Sequence, residues 1–254
     1  MRIVCPGIIL RWLHLIPVIG MFAGCTTVNR TSSIPEKFAC RLPDSCRQVV
    51  LVVSNGETSS HGKLWLLERN DPQDPWTSTL GPFAVDLGRN GMAWSGGGDA
   101  PTAPPGSRMK CEGDGCSPAG VFHIPYAFGY ATTAPGFHLH YVPLASTSVG
   151  VDDSRSRYYN QVVDSRFVEP DWKSGETMLR ADGIYRWGAF VACNADNTPG
   201  RGSCIFMHVW HTPRHATIGC TAMSAENLLR VLKRLDPAQK PRLVQIYRGQ
   251  SPDL

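Results

Sequence analysis

The stretch C-I-F-M-H-V-W-H-T-P-R-H-A-T-I-G-C-T-A-M, Cys204 to Met223, sets three histidines, His208, His211 and His215, just ahead of Cys220. Cys220 follows Gly219 and precedes a helix-like segment. A thiol at a tight glycine turn before a helix is placed to become a thiolate, because the helix N-terminus and a nearby imidazole both favour the anion. Such a thiol attacks carbonyls, and N–H groups at the same turn can stabilise the oxyanion. The stretch therefore reads first as a cysteine acyl-transfer site. Cys and His are also common core residues and disulfide partners, and the same side chains are conceivable zinc ligands. The spacing fits no zinc pattern: there is no H-E-x-x-H and no pair of C-x-x-C knuckles, so no metal is expected.

The elements that must hold these residues read as mostly short strands. Residues 47–55 (R-Q-V-V-L-V-V-S-N) are β-branched and end at Asn55-Gly56, a strand running into a turn, with Gly62 to Glu68 as its partner. One or two more strands are expected around Gly81-Pro82. Gly88 to Gly106 is dense in Gly and Pro and reads as a loop that either lines a site or is mobile, with Trp94 as a side chain that could cover a substrate. Lys110 to Phe122 reads as a turn before a strand at Val121, since its acids and glycines lack EF-hand spacing. Phe137 to Val142 alternates, which predicts a strand with His138 and His140 on one face. Tyr158 to Val163 reads as a short helix or loop, and strands are expected over 183–192 and 203–210. The clearest helix follows Cys220: Ser224 caps it, Leu228, Leu229, Val231, Leu232 and Leu235 form one apolar face, and Asp236-Pro237 stops it. Arg242 to Tyr247 closes as a strand.

The chain has 254 residues, 42% hydrophobic and 18% charged, which suits one globular domain of generous size. Its net charge of +4 comes without a Lys/Arg cluster, which argues against nucleic acid as a partner. Gly and Pro are plentiful and helical periodicity is sparse, so the fold class expected is mainly β (α+β).

Residues 1–24 look like an export signal: Arg2 and Arg11 precede or begin an apolar run, Trp12 to Phe22, too short to span a membrane. The run ends at Phe22-Ala23-Gly24-Cys25, which resembles a bacterial lipoprotein signal with Cys25 as the lipidated residue; an ordinary cleaved signal is the alternative. Residues 25–37 read as a tether, and 38–254 as the folded domain. Of nine cysteines, Cys5 leaves with the signal and Cys25 carries lipid, so seven remain in an oxidising compartment. The close pairs are Cys40–Cys46, Cys111–Cys116 and Cys193–Cys204, which leaves Cys220 unpaired. Six cysteines allow many connectivities, so neighbour pairing is one option among them.

Four motifs carry a family resemblance: E-G-D-G-C-S-P-A-G-V-F from Glu112, V-D-D-S-R-S-R-Y-Y-N from Val151, Y-R-W-G from Tyr185 leading to P-G-R-G-S-C-I-F-M-H at 199–208, and I-G-C-T-A-M from Ile218. With these the chain resembles the L,D-transpeptidase catalytic-domain (YkuD) family over Arg47 to Tyr247. The resemblance implies a domain of packed mixed β-sheets with few helices, one after the nucleophile. It implies a cysteine attack on peptidoglycan stem peptides and no cofactor. The resulting thioester passes to an amine of another stem or of a lipoprotein, or to water, which gives L,D-carboxypeptidase products. By the same resemblance Cys220 is the nucleophile, His208 the general base and Gly219 the glycine before the nucleophile.

The chain departs from the family pattern at Ile218, where His is usual, at Val209, where Gly is usual, and at Ala222, where Arg is usual. His211 or His215 would then replace the imidazole and Arg214 the cation, while Asn194 or a backbone carbonyl orients the base. The sequence supports a lipid-anchored periplasmic enzyme first. A peptidoglycan-binding lipoprotein that keeps the fold without the chemistry is the alternative, and a zinc peptidase a distant third.

Overall fold

A computed structural model describes residues 34–95, 102–103 and 105–250. Cys25, the export signal and most of the tether lie outside the described residues. The chain is mainly β. Its strands are β1 (Gln48–Ser54), β2 (His61–Glu68), β3 (Thr77–Asp86), β4 (Met92–Trp94), β5 (Ser117–His123), β6 (Ala127–Gly129) and β7 (Tyr141–Pro143). They continue as β8 (Ser148–Val151), β9 (Gln161–Asp164), β10 (Gly175–Thr177), β11 (Trp187–Phe190), β12 (Phe206–Val209), β13 (Thr221–Met223) and β14 (Arg242–Tyr247). Two α-helices accompany them, α1 (Glu36–Ala39) and α2 (Ala225–Arg234). No helix among the described residues is long and apolar enough to cross a membrane.

Eleven strands form one mixed sheet in the order β4-β5-β14-β1-β2-β3-β13-β12-β11-β6-β7, and β10-β8-β9 form a second, antiparallel one. The β-branched run of β1 is buried along its whole length, as a central strand covered on both faces requires. It pairs antiparallel with β2 and parallel with β14, so the last strand of the chain lies beside the first. The larger apolar core gathers on this part of the sheet and takes in Phe38 of α1 and Leu228, Val231 and Leu232 of α2. Helix α2 is the amphipathic segment expected: the Ser224 hydroxyl accepts from the Asn227 amide at 3.3 Å, and Leu235 ends the helix ahead of Asp236-Pro237.

Several expectations need correction. Cys220 does not sit at a helix N-terminus, because β13 intervenes and α2 begins only after Ser224. The region of Gly81-Pro82 holds one strand, β3, within the one or two expected, irregularly paired with β2. The segment from Gly88 is not simply a loop: it contains β4, and Trp94 is 3% exposed and packs on Phe38 with ring centroids 6.1 Å apart. Trp94 is therefore a core residue and covers no site; residues 96–101 and 104 lie outside the described residues. Strand β5 begins at Ser117, earlier than expected. Only Tyr141–Pro143 of the segment around His138 and His140 is a strand, so these histidines do not share a strand face. Gln161–Asp164 is a strand where a helix or loop was expected.

The three neighbouring cysteine pairs are not bonded; all seven cysteines from Cys40 onward are free thiols. Their sulfurs engage separate backbone carbonyls instead: Cys40 that of Lys37, Cys46 that of Gln48, Cys116 that of Asn90 and Cys204 that of Val151.

Candidate active site

Strand alternation assembles the site. In β12, Met207 and Val209 turn into the larger core, while Phe206 joins a smaller cluster with Phe128, Tyr185, Cys204 and Cys220. His208 shares the face of Phe206. Strand β13 runs parallel to β12 with His208 opposite Ala222, so Cys220, two residues before Ala222, comes to the same face as His208. Both side chains line one cavity of about 610 Å³.

Gly219 is required here by its backbone. Its φ is +153°, and a Cβ would come within 3.0 Å of Ile205 Cδ1 and 3.2 Å of the Cys116 carbonyl. Its amide donates to Thr217 Oγ1 at 3.1 Å, so Gly219 shapes the turn and its N–H is already engaged. Thr217 Oγ1 in turn donates to the Cys220 carbonyl at 2.7 Å.

The Cys220 Sγ accepts from the Phe206 amide at 3.3 Å and contacts the Cys204 carbonyl at 3.7 Å. That carbonyl is fixed by a left-handed Cys204, φ +50°, whose amide donates to Asn160 Oδ1 at 2.9 Å. Burial pushes the Cys220 thiol up to about 12, and the Phe206 amide only partly opposes this. His208 is likewise buried. Its Nδ1 lies 2.8 Å from the Val209 carbonyl, so Nδ1 carries the proton and Nε2 is the basic nitrogen. Burial lowers its pKa to about 4; the Val209 carbonyl opposes this and the Arg180 charge adds to it. The resting site thus holds a neutral thiol and a neutral imidazole in one cavity, not the thiolate that a helix terminus would have favoured.

Tyr185 packs edge-on against His208, with ring centroids 5.3 Å apart, and donates its hydroxyl to Glu176 at 2.7 Å. Arg180 bridges Glu176 at 3.0 Å and Asp182 at 2.6 Å. On another wall Lys110 and Asp114 form a buried ion pair at 2.6 Å, and Glu112 accepts from Ser203 at 2.8 Å and from Tyr159.

Of the remaining residues expected at the site, His211 and His215 line the cavity, exposed, with rings 6.1 Å apart. Among the described residues no hydrogen bond joins His208, His211 or His215 to the Cys220 Sγ, whose partners are the Phe206 amide and the Cys204 carbonyl. The group that holds the His208 ring is the Val209 carbonyl, not Asn194. Asn194 is buried elsewhere and ties down its own loop through the Thr198 and Gly202 carbonyls. Arg214 is exposed in a left-handed conformation, φ +65°, and is not among the residues lining the cavity. The cation that does line it without a carboxylate partner among the described residues is Arg89. Among the described residues no group of three or more His, Cys, Asp or Glu is arranged to hold a metal ion.

Sequence reasoning missed Arg89, Lys110, Asp152, Glu176, Arg180 and Tyr185 as lining residues. Lys110 precedes, and Asp152 and Tyr185 lie within, the motifs that carried the family resemblance; Glu176 and Arg180 had no local signal. No protein-family model matches the chain, no curated protein matches it, and no solved structure matches it.

Proposed function

We propose that the protein is a cysteine acyltransferase of the L,D-transpeptidase type acting on peptidoglycan stem peptides. The observation that carries this reading is the delivery of Cys220 and His208, by register alone, to one cavity, with the His208 Nδ1 committed to the Val209 carbonyl. A general base needs its second nitrogen unengaged, and this tautomer leaves Nε2 for the thiol proton.

In the proposed reaction the Cys220 Sγ attacks the carbonyl carbon of the stem peptide's L,D bond as its proton passes to His208 Nε2. Collapse of the tetrahedral adduct breaks the C–N bond, and His208 returns the proton to the leaving amine. An acceptor amine then attacks the thioester, loses its proton to His208 and releases the thiol; water in the same role gives the free acid. Because the ground-state pair is neutral, deprotonation accompanies attack and does not precede it. We further propose that the protein acts in the bacterial periplasm, held to a membrane by lipid on Cys25.

The alternative, a peptidoglycan-binding lipoprotein without chemistry, draws support from Ala222 opposite His208 and from the thiol held at about 12. Incubating the protein with defined tetrapeptide muropeptides and weighing the products separates the two. Cross-linked or trimmed products that vanish in Cys220→Ala are expected; intact muropeptides bound but unchanged would favour the alternative.

A further inference from the structure

We infer that Asn160 is a positioning residue for the Cys220 nucleophile. Its side chain is 3% exposed, and both ends of its amide are engaged by other parts of the chain. The Oδ1 accepts from the Cys204 amide at 2.9 Å, and Nδ2 donates to the Asn194 carbonyl at 2.8 Å and to Asn197 Oδ1 at 3.0 Å. The Asn160 amide donates to the Val151 carbonyl at 2.8 Å. One buried residue thus ties the end of β8, the turn at 194–197 and the approach to β12 at a single joint.

The backbone at this joint is unusual. Five non-glycine residues among the described residues are left-handed, and three of them meet here: Asn160 at φ +61°, Asn197 at +51° and Cys204 at +50°. Such conformations cost about 1–3 kcal/mol each, persist only where the surroundings hold them, and gather at functional sites. Asparagine tolerates the left-handed region, but cysteine has no such preference, so Cys204 needs a partner to keep it there. The Asn160 Oδ1 is that partner. The consequence is seen at the nucleophile. The Cys204 carbonyl accepts from the Cys220 thiol at 3.7 Å, and the Phe206 amide donates to the same sulfur at 3.3 Å. These two backbone groups bracket the sulfur, and both belong to the short segment that leaves Asn160's clamp. Asn160 therefore sets the direction of the sulfur without a hydrogen bond to it. His208 follows on the same strand, so the clamp keeps base and thiol in one frame.

The role in attack rests on the proposed acyl transfer; the placing of the sulfur does not. Asn160→Gly removes the side chain and leaves a residue that adopts φ +61° freely. Asn197→Gly removes one Nδ2 partner and leaves the Oδ1 clamp on Cys204 in place. Native protein is labelled with iodoacetamide at pH 8, and Cys220 is followed by mass mapping beside Cys46, which is fully buried in the larger core and reports any opening of the fold. In Asn160→Gly the sulfur is released from both backbone groups, so Cys220 should label about tenfold faster with Cys46 unchanged. Turnover of a tetrapeptide muropeptide should move the other way, with kcat down about tenfold or more and KM held, as misplacement of a reacting atom predicts. Asn197→Gly should leave Cys220 labelling and kcat near wild type. Asn160→Ser, which lacks the amide group, carries the same test should the glycine variant fail to fold. Cys220 labelling that is unchanged or slower in Asn160→Gly overturns the assignment. So does an equal rise in Asn197→Gly, or a Cys46 that speeds up in step, since either would mean that Asn160 only holds the fold. Faster labelling with kcat unchanged would overturn the role in attack. If the wild type leaves muropeptides unchanged, the acyl-transfer reading falls and the labelling comparison alone decides the placing of the sulfur.

Discussion

Phe206 and Cys220 face each other across the β12–β13 pair, and the Phe206 amide donates to the Cys220 Sγ at 3.3 Å. This is the one backbone donor that favours the thiolate, and burial outweighs it. With the thiol pushed up to about 12, its thiolate fraction near pH 8 is about a thousandfold below that of an ordinary cysteine. Alkylation of native protein by iodoacetamide should accordingly be slow at Cys220 and rise with pH beyond pH 9. A Cys220 that alkylates fully and fast at pH 7 would show that the thiolate is already formed and that His208 is not needed to take its proton during attack.

His208→Ala should lower turnover with a stem-peptide substrate by a factor on the order of 10²–10⁴, the usual loss for a general base. His215→Ala and His211→Ala should cost much less, since their rings are exposed to water whereas His208 is buried. A larger loss at His215 would transfer the base to the rim histidine.

His208 also makes folding pH-dependent. Its folded pKa of about 4 lies below the ordinary histidine value of 6.5, so the unfolded chain binds the proton first as pH falls. The stabilisation is fully present above pH 6.5 and lost as pH drops toward 4, by about 3 kcal/mol at the order of magnitude that such a shift implies. Urea titrations at pH 7 and pH 4.5 should show wild type losing more stability than His208→Gln. Equal losses would mean that the imidazole is solvated in the folded protein.

Much of this architecture was legible in the sequence, and the failures have physical causes. Gln48–Ser54, His61–Glu68, Arg242–Tyr247 and α2 declare themselves because each is long enough to show a period or an uninterrupted β-branched run. Three-residue strands such as β4, β6 and β10 hold no period to read, and they exist through pairing with distant partners. Cys220 stood out from its glycine turn and the three histidines ahead of it, and His208 was chosen among these only through the family resemblance. Asp152, Glu176 and Arg180 reach the cavity only through the β8–β10 register, which local sequence does not encode. Trp94 misled because its Gly-rich surroundings suggested a loop, whereas pairing with β5 buries it. The cysteine pairs misled because closeness in sequence says nothing of where each sulfur points.

Gly219→Ala should destabilise the fold by about 1–3 kcal/mol and impair Cys220 beyond that loss. The new methyl must either displace Ile205 Cδ1, 3.0 Å away, or move the Cys116 carbonyl, 3.2 Å away, and its backbone must still hold φ +153°. Thermal denaturation checks the first part, and the rate of thiol labelling in the folded variant checks the second. Unchanged stability would show that this turn can relax without a glycine.

Lys110 and Asp114 are each 4% exposed and joined at 2.6 Å, so removing one partner leaves a buried charge unpaired. Lys110→Met or Asp114→Asn should each cost about 3–5 kcal/mol, and the double variant clearly less than their sum. Additive losses in denaturant unfolding would mean that the two groups do not interact.

Parallel neighbours such as β12 and β13 cannot be joined by a tight hairpin, so the chain has to leave the sheet at Val209 and come back at Thr221. The detour, residues 210–220, supplies Trp210, His211, His215 and Ile218 to the mouth of the cavity. His208 lies in the ladder just before it, and Cys220 is its last residue, immediately ahead of β13. Thr217 and Gly219 hold the turn next to Cys220, so it is the part from Trp210 to Ala216 that can change length and composition while His208 and Cys220 keep their spacing. On the proposed acyl-transfer reading, substrate choice would be set by this segment, and the exposed Ile218, 73% accessible, lies at its end, two residues before Cys220.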